Sequence, residues 1–180
     1  MTVEGSVRSD LIAAIPHLRA FAMSLTGHRD RADDLVQDAI TRAWANIQKF
    51  EPGTNLNAWL FTILRNLFHS DYRKRKHEIA DADGSFAARL RTQPDQQSHL
   101  DLEDFRTALA TLPVDQREAL LLVGAHGMSY EEAAEVCQVA VGTIKSRVNR
   151  ARTRLAALLD VTSEGELGPD DVTKAALAAR

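Results

Sequence analysis

The 180-residue sequence holds a single cysteine, so no intramolecular disulfide and no cysteine-rich zinc site can form. Cys137 reads as a small buried residue. No apolar run approaches the roughly 20 residues needed to span a bilayer. The first ten residues, MTVEGSVRSD, lack the basic start and apolar stretch of a secretory signal, which predicts a cytoplasmic protein and no membrane partner. A glycine-rich phosphate loop is missing. The six histidines (His17, His28, His69, His77, His99, His126) are scattered, with no His-x-x-x-His pair, and His126 stands at no metal-ligand spacing from Cys137. Acidic pairs such as Asp33–Asp34 and Asp170–Asp171 are adjacent in sequence. They therefore face different directions on a helix and suit a surface better than acid–base work. Ser129 has no histidine close in sequence, which argues against a nucleophile. Together these gaps predict a protein that is not an enzyme and needs no metal or cofactor.

The residues present are ordinary for a globular chain: 44% hydrophobic and 26% charged. Aromatics make up only 6%, and Ala, Leu, Arg and Asp are frequent, which favours helices over sheets. The length allows one domain or two small ones. A net charge of -3 hides segregation. The first half of Arg29–Phe50 is acidic, whereas Arg65–His77 and Lys145–Arg154 are basic.

Periodicity places a first helix over Arg8–Leu25, closed by Gly27. A second, Asp30–Ile47, carries Leu35, Val36, Ala39, Ile40, Ala43, Trp44 and Ile47 as one apolar stripe. Glu51–Asn55 (EPGTN) is a turn. A third helix, Leu56–Lys76, turns Leu60, Ile63, Leu64 and Leu67 one way, with Arg65, Asn66, His69, Arg73 and Lys76 near the opposite side. From Glu78 to Ser98 the pattern dissolves into acids, Gly, Pro and Gln, a linker with a short helix at Ser85–Leu90. Its length suits two separate helical domains. The second domain begins near His99, with helices over Leu100–Thr111, Val114–Ala125, Tyr130–Val136 and Val141–Leu159. Pro113 precedes one of them, and Ser129 opens a Ser-x-x-Glu capping box with Glu132.

The last three segments carry the chemistry. A short capped helix, a tight turn and a second helix make a helix-turn-helix. Ala133 and Ala134 allow the helices to cross closely. In the second helix Val141, Ile144, Val148, Ala151 and Leu155 face inward. Thr143, Ser146, Asn149 and Arg150 lie on the far side, flanked by Lys145, Arg147 and Arg154. Such a face can enter a major groove, where Arg reads guanine, Asn reads adenine and flanking cations meet phosphates. The Arg65–Lys76 face is less specific. Trp59, Phe61, Phe68 and Tyr72 lie among its cations, an arrangement suited to single-stranded or melted DNA, although Trp59 and Phe68 fit a core equally well.

At these residues the sequence resembles the bacterial extracytoplasmic-function (ECF) sigma factors. DRADDLVQDAITRAW resembles the family segment that docks on the polymerase clamp, and LNAWLFTILRNLFHSDYRKRK the one that melts and reads the minus-ten element. The stretch from Leu112 to Leu155 resembles the domain that reads the minus-thirty-five element. EPGTNLNAWLFTILRN followed by YRKRKHEIADADG is similar to the alphaproteobacterial general-stress-response (EcfG-type) group. The resemblance implies an all-α chain: a sigma-2-like domain over 8–78, a linker over 79–98, a sigma-4-like domain over 99–161 and a tail over 162–180. It also implies three partners: core RNA polymerase, promoter DNA and a small, NepR-like anti-sigma protein.

Carried over by position, Asp34, Gln37 and Asp38 would contact polymerase. Arg65, Asn66, His69, Arg73 and Lys76 would lie near the minus-ten strand. Thr143, Lys145, Ser146, Arg147, Asn149, Arg150 and Arg154 would approach the minus-thirty-five duplex. Two other readings stay open: a protein-binding mimic that sequesters an anti-sigma partner, and a stand-alone helix-turn-helix regulator. A response regulator bearing such a mimic also needs a receiver domain, for which 180 residues leave no room.

Overall fold

The computed structural model describes residues 3–80 and 100–159. The chain divides into two units, Met1–Leu90 and Arg91–Arg180. Among the described residues every regular element is helical. The expected short helix at Ser85–Leu90 and the tail lie outside them, as does the expected linker apart from residues 79 and 80, which belong to a helix.

The first unit is built from α1 (Val3–Thr26), α2 (Arg29–Ala45) and α3 (Leu56–Ala80), with a 3-10 turn at Ile47–Lys49. Helix α1 buries Leu11, Ala14, Leu18, Phe21, Ala22 and Leu25, a three- and four-residue repeat that forms one stripe. Helix α2 answers with small residues, since Ala32, Val36, Ala39 and Ala43 are its buried positions. Small side chains let it pack closely against both α1 and α3. From α3 come Leu60, Phe61, Leu64 and Phe68. The Phe21 and Phe61 rings meet edge to face, 5.0 Å apart, and each is almost wholly removed from water. Burial of each such ring contributes about 2–3 kcal/mol.

Helix α1 stops because Gly27 adopts φ 67, a left-handed turn that breaks the ladder while its N–H still donates to the Met23 carbonyl. Gly53, at φ 96, lets the EPGTN turn reverse the chain, and Asn55 Oδ1 then accepts from the Ala58 N–H at the start of α3. Helix α3 runs past the expected end at Lys76 as far as Ala80. The charged residues Arg73–Glu78 are good helix formers even without an apolar period.

One expectation for α2 needs correction. Trp44 does not complete the apolar stripe: it is 54% exposed, and Ile47 has left the helix for the 3-10 turn. Periodicity gave the face correctly, but the covering helices reach only Ala32, Val36, Ala39 and Ala43 fully.

In the second unit, α4 (Leu100–Thr111), α5 (Val114–Gly124), α6 (Tyr130–Cys137) and α7 (Val141–Leu158) pack around α7. Ala108, Leu109 and Leu112 of the α4 end form a cluster with Ala151 and Leu155 of α7. Two charged residues are also buried here, Arg117 and Glu118. Arg117 Nη2 donates to the carbonyls of Ala110 and Leu112 at 3.2 and 3.1 Å. It thereby satisfies oxygens that the end of α4 leaves without a helical partner. Burial holds the Arg117 guanidinium below its ordinary pKa, and the neighbouring Glu118 opposes that shift.

Candidate nucleic-acid interface

The expected capping box is present in full. Ser129 Oγ accepts from the Glu132 N–H at 3.0 Å, and Glu132 Oε2 accepts from the Ser129 N–H at 2.9 Å. Helix α6 therefore starts at a fixed point. It ends at Gln138, whose left-handed backbone (φ 56, ψ 45) makes the turn into α7. Ala133 and Ala134 are buried where α6 crosses α7, and Cys137 is buried as expected.

Helix α7 seats itself through Ile144, Val148, Ala151 and Leu155, all nearly inaccessible, with Val141 half-buried. Its opposite side carries Asn149 and Arg150, both exposed, and Thr143 and Ser146, both half-buried. Ser146 Oγ donates back to the Thr143 carbonyl at 3.0 Å. Arg154 is exposed one turn beyond Arg150. The 18 residues of α7 make a rod about 27 Å long, and the diameter of a helix with its side chains, about 10–12 Å, matches the width of a B-DNA major groove.

The two remaining cations behave differently. Lys145 is exposed, with Nζ 5.8 Å from the centroid of the buried Tyr130 ring in α6. Arg147 is turned toward its own domain, and its Nε lies 3.2 Å from Asp115 Oδ2 in the first turn of α5.

In the first unit the buried side of α3 is Leu60, Phe61, Leu64 and Phe68, so the expected inward residues Ile63 and Leu67 are only half-buried and Phe61 belongs to the core instead of the cationic face. Asn66 and Arg73 are exposed, and Arg65 and His69 half-buried. Lys76 continues the register, and its side chain lies outside the described part. Among the aromatics, Phe68 belongs to the core, and Trp59 is half-buried with its ring tilted against Phe50, 5.5 Å apart. Tyr72 is half exposed and stacks on Phe68 at 6.1 Å. On the inner side, Asp71 bridges Arg75 (2.6 Å) and Arg31 of α2 (3.9 Å), which ties α2 to α3. Partial burial, with Arg75 close by, lowers the pKa of Arg31 against the pull of Asp71.

On α2, Asp34, Gln37 and Asp38 all project from the exposed side. Beside them Arg8, Leu11, Ile12, Ile15, Ile40 and Trp44 line a shallow groove of about 460 Å³. Ile12 and Trp44 are the exposed large apolar residues of this lining. Among the described residues no cluster of His, Cys, Asp and Glu could hold a metal, and no helix is long and apolar enough to cross a membrane.

Two family models match the chain: Sigma-70 region 2 over residues 11–78 and Sigma-70 region 4 over residues 102–155. Over 177 residues the chain is 62% identical to the ECF RNA polymerase sigma factor EcfG of Rhodopseudomonas palustris, covering 98% of each. The chain belongs to the ECF RNA polymerase sigma factors. As such it is a transcription initiation factor with a region 2 domain and a region 4 domain. Among solved structures it is similar to the sigma factor RpoE of Bartonella quintana, crystallised with the anti-sigma factor NepR. The TM-score is 0.80 at 53% identity, covering 88% of this chain and 99% of that one. It is also similar to CnrH in complex with the cytosolic domain of CnrY, at TM-score 0.60 and 29% identity over 88% of each chain.

Three features of this sigma factor escaped the sequence reading: the Arg117 cap, the Arg147–Asp115 pair and the open groove at Trp44. The first two join residues from different helices and leave no periodic trace. The groove had a signal, because Ile12 and Trp44 sit at the edge of their helical stripes.

Proposed function

We propose that this sigma factor directs core RNA polymerase to stress-response promoters under the control of a small NepR-like anti-sigma protein. The observation that carries the reading is α7: an apolar stripe seats it, and Asn149, Arg150 and Arg154 stand in solvent on the other side. In this reading Thr143, Lys145, Ser146, Asn149, Arg150 and Arg154 approach the minus-thirty-five duplex. Arg65, Asn66, His69, Arg73 and Lys76 line the path of the minus-ten strand, with Tyr72 offering a ring for a base to stack on. Asp34, Gln37 and Asp38 dock on polymerase.

The domain boundaries follow as 8–78 and 99–161, with 79–98 as linker and 162–180 as tail. Two moderate interfaces on one chain reinforce each other through effective concentration, so neither need be tight alone. The protein works in the cytoplasm, has no catalytic centre of its own and takes no cofactor. Its likeness to RpoE, solved with NepR, supports the anti-sigma partner.

Run-off transcription with core polymerase tests this. Wild-type protein should start transcription at a stress-type promoter. Arg150→Glu with Arg154→Glu should abolish it by opposing phosphate charge. A double variant that transcribes normally would refute the DNA role. A wild type that binds the anti-sigma protein but never supports transcription would favour the mimic.

A further inference from the structure

The stripe that seats α7 is narrow. At about 100° per residue, Ile144, Val148, Ala151 and Leu155 fall within roughly 60° of one another, against the 100° or more of a broad amphipathic face. A ridge that thin fixes the depth of the helix better than its roll about its own axis. Roll matters for reading bases. Turning α7 by roughly 20° moves a side-chain tip about 6 Å off the axis by about 2 Å. A base-edge hydrogen bond does not survive that.

Contacts on the two flanks of the stripe resist the roll. On one side Lys145 lies over the Tyr130 ring of α6. On the other, Arg147 meets Asp115 of α5 at 3.2 Å, with its side chain only 19% exposed. Arg147 Nη1 is shut off from solvent and has no hydrogen-bond partner among the described residues, so the head of the side chain is turned into the domain. An ion pair with Asp115 half exposed adds little to stability. Its geometric effect does not depend on that. Asp115 is itself anchored in the first turn of α5, where the helix dipole favours a carboxylate.

We propose that Arg147 and Asp115 are a positioning pair that sets the roll of α7, so that Arg147 acts on promoter recognition through Ser146, Asn149 and Arg150 and makes no DNA contact of its own. This rests on the reading that α7 enters a major groove.

The two roles predict opposite behaviour. The full-length chain bound to core polymerase is titrated with two promoter fragments over a range of salt, one carrying the minus-thirty-five element and one with that element scrambled. Arg147→Gln and Asp115→Asn should each lose about tenfold in preference for the element. The salt slope should stay unchanged, and the double variant should be no worse than either single one. A phosphate contact at Arg147 would show instead as a slope lower by about 1 in Arg147→Gln, with both fragments weakened alike. Asp115→Asn would then release that cation and tighten both fragments. Either of those results, additive effects or an unchanged preference overturns the proposal. If Arg147→Gln does not fold, Asp115→Asn, which keeps the side-chain volume, decides alone. Wild-type complex that fails to distinguish the fragments would sink the DNA reading itself. Wild type that distinguishes them, with variants behaving as phosphate contacts, would sink only the positioning role.

Discussion

Replacing Arg117 by Met should destabilise the region 4 domain selectively. The guanidinium donates to two carbonyls at the end of α4, those of Ala110 and Leu112. Bonds from a charged donor contribute about 1.5 kcal/mol each at the low end, so about 3 kcal/mol is lost. Methionine keeps most of the aliphatic packing. Relief of the buried cation's desolvation and loss of the charge opposing the buried Glu118 act in opposite directions, so the two lost bonds set the expected cost, about 3 kcal/mol. For a domain of this size each kcal/mol shifts Tm by roughly 4–8 °C, so the expected fall is roughly 12–24 °C. Both tryptophans, Trp44 and Trp59, belong to the first unit. Tryptophan fluorescence therefore follows region 2 alone, whereas far-ultraviolet circular dichroism follows all helices. The variant should show an early loss of helical signal with the fluorescence transition in place. A helical signal that melts as in the wild type, or a fluorescence transition that moves with it, would refute the capping role. The pH dependence has a definite sign as well. A base whose native pKa lies below its unfolded value costs stability wherever both states are charged, and the cost is relieved only as pH climbs through the native pKa. Arg117 should thus contribute no slope across the neutral range.

Two smaller perturbations test the turn that presents α7. Ser129→Ala removes the Oγ that accepts from the Glu132 N–H, leaves the backbone arm of the capping box in place, and should cost about 1 kcal/mol, read as a lower urea midpoint, while Ser129→Thr stays near wild type. Gln138→Gly should stabilise the domain by about 1 kcal/mol, read as a higher urea midpoint, because a glycine adopts the left-handed backbone at that position without the Cβ clash. Promoter preference should be retained in Gln138→Gly, since the backbone path into α7 is unchanged.

Local signals explain which parts of this sigma factor were legible in advance. The capping box is written in four consecutive residues, and the structure contains both of its bonds. The end of α1 is written in one glycine, Gly27. The inward register of α7 follows from spacing alone, and Ile144, Val148, Ala151 and Leu155 are where it puts them. Width was not legible. Spacing gives the azimuth of a stripe but not how far its neighbours reach, so it places Trp44 under cover although the packing stops at Ala43. Nor was pairing between helices. Arg117 and Glu118 look like surface in a charge count, yet both are buried once α4 ends above them.

The same limit bears on the cations of α7. A run of basic residues in a chain of net charge -3 invites the conclusion that every one of them meets DNA. Charge cannot separate a cation that faces phosphate from one that neutralises a carboxylate of its own domain. Burial and pairing can: Arg150 and Arg154 stand in solvent, while Arg147 is half-buried and paired with Asp115. Arg147 would have to leave Asp115 and the shelter of its own domain to reach a phosphate, leaving a carboxylate close to the polyanion. That exchange is unfavourable on both counts, and it is the physical reason for the proposal to divide the basic run into a residue that holds the helix and residues left free to meet DNA.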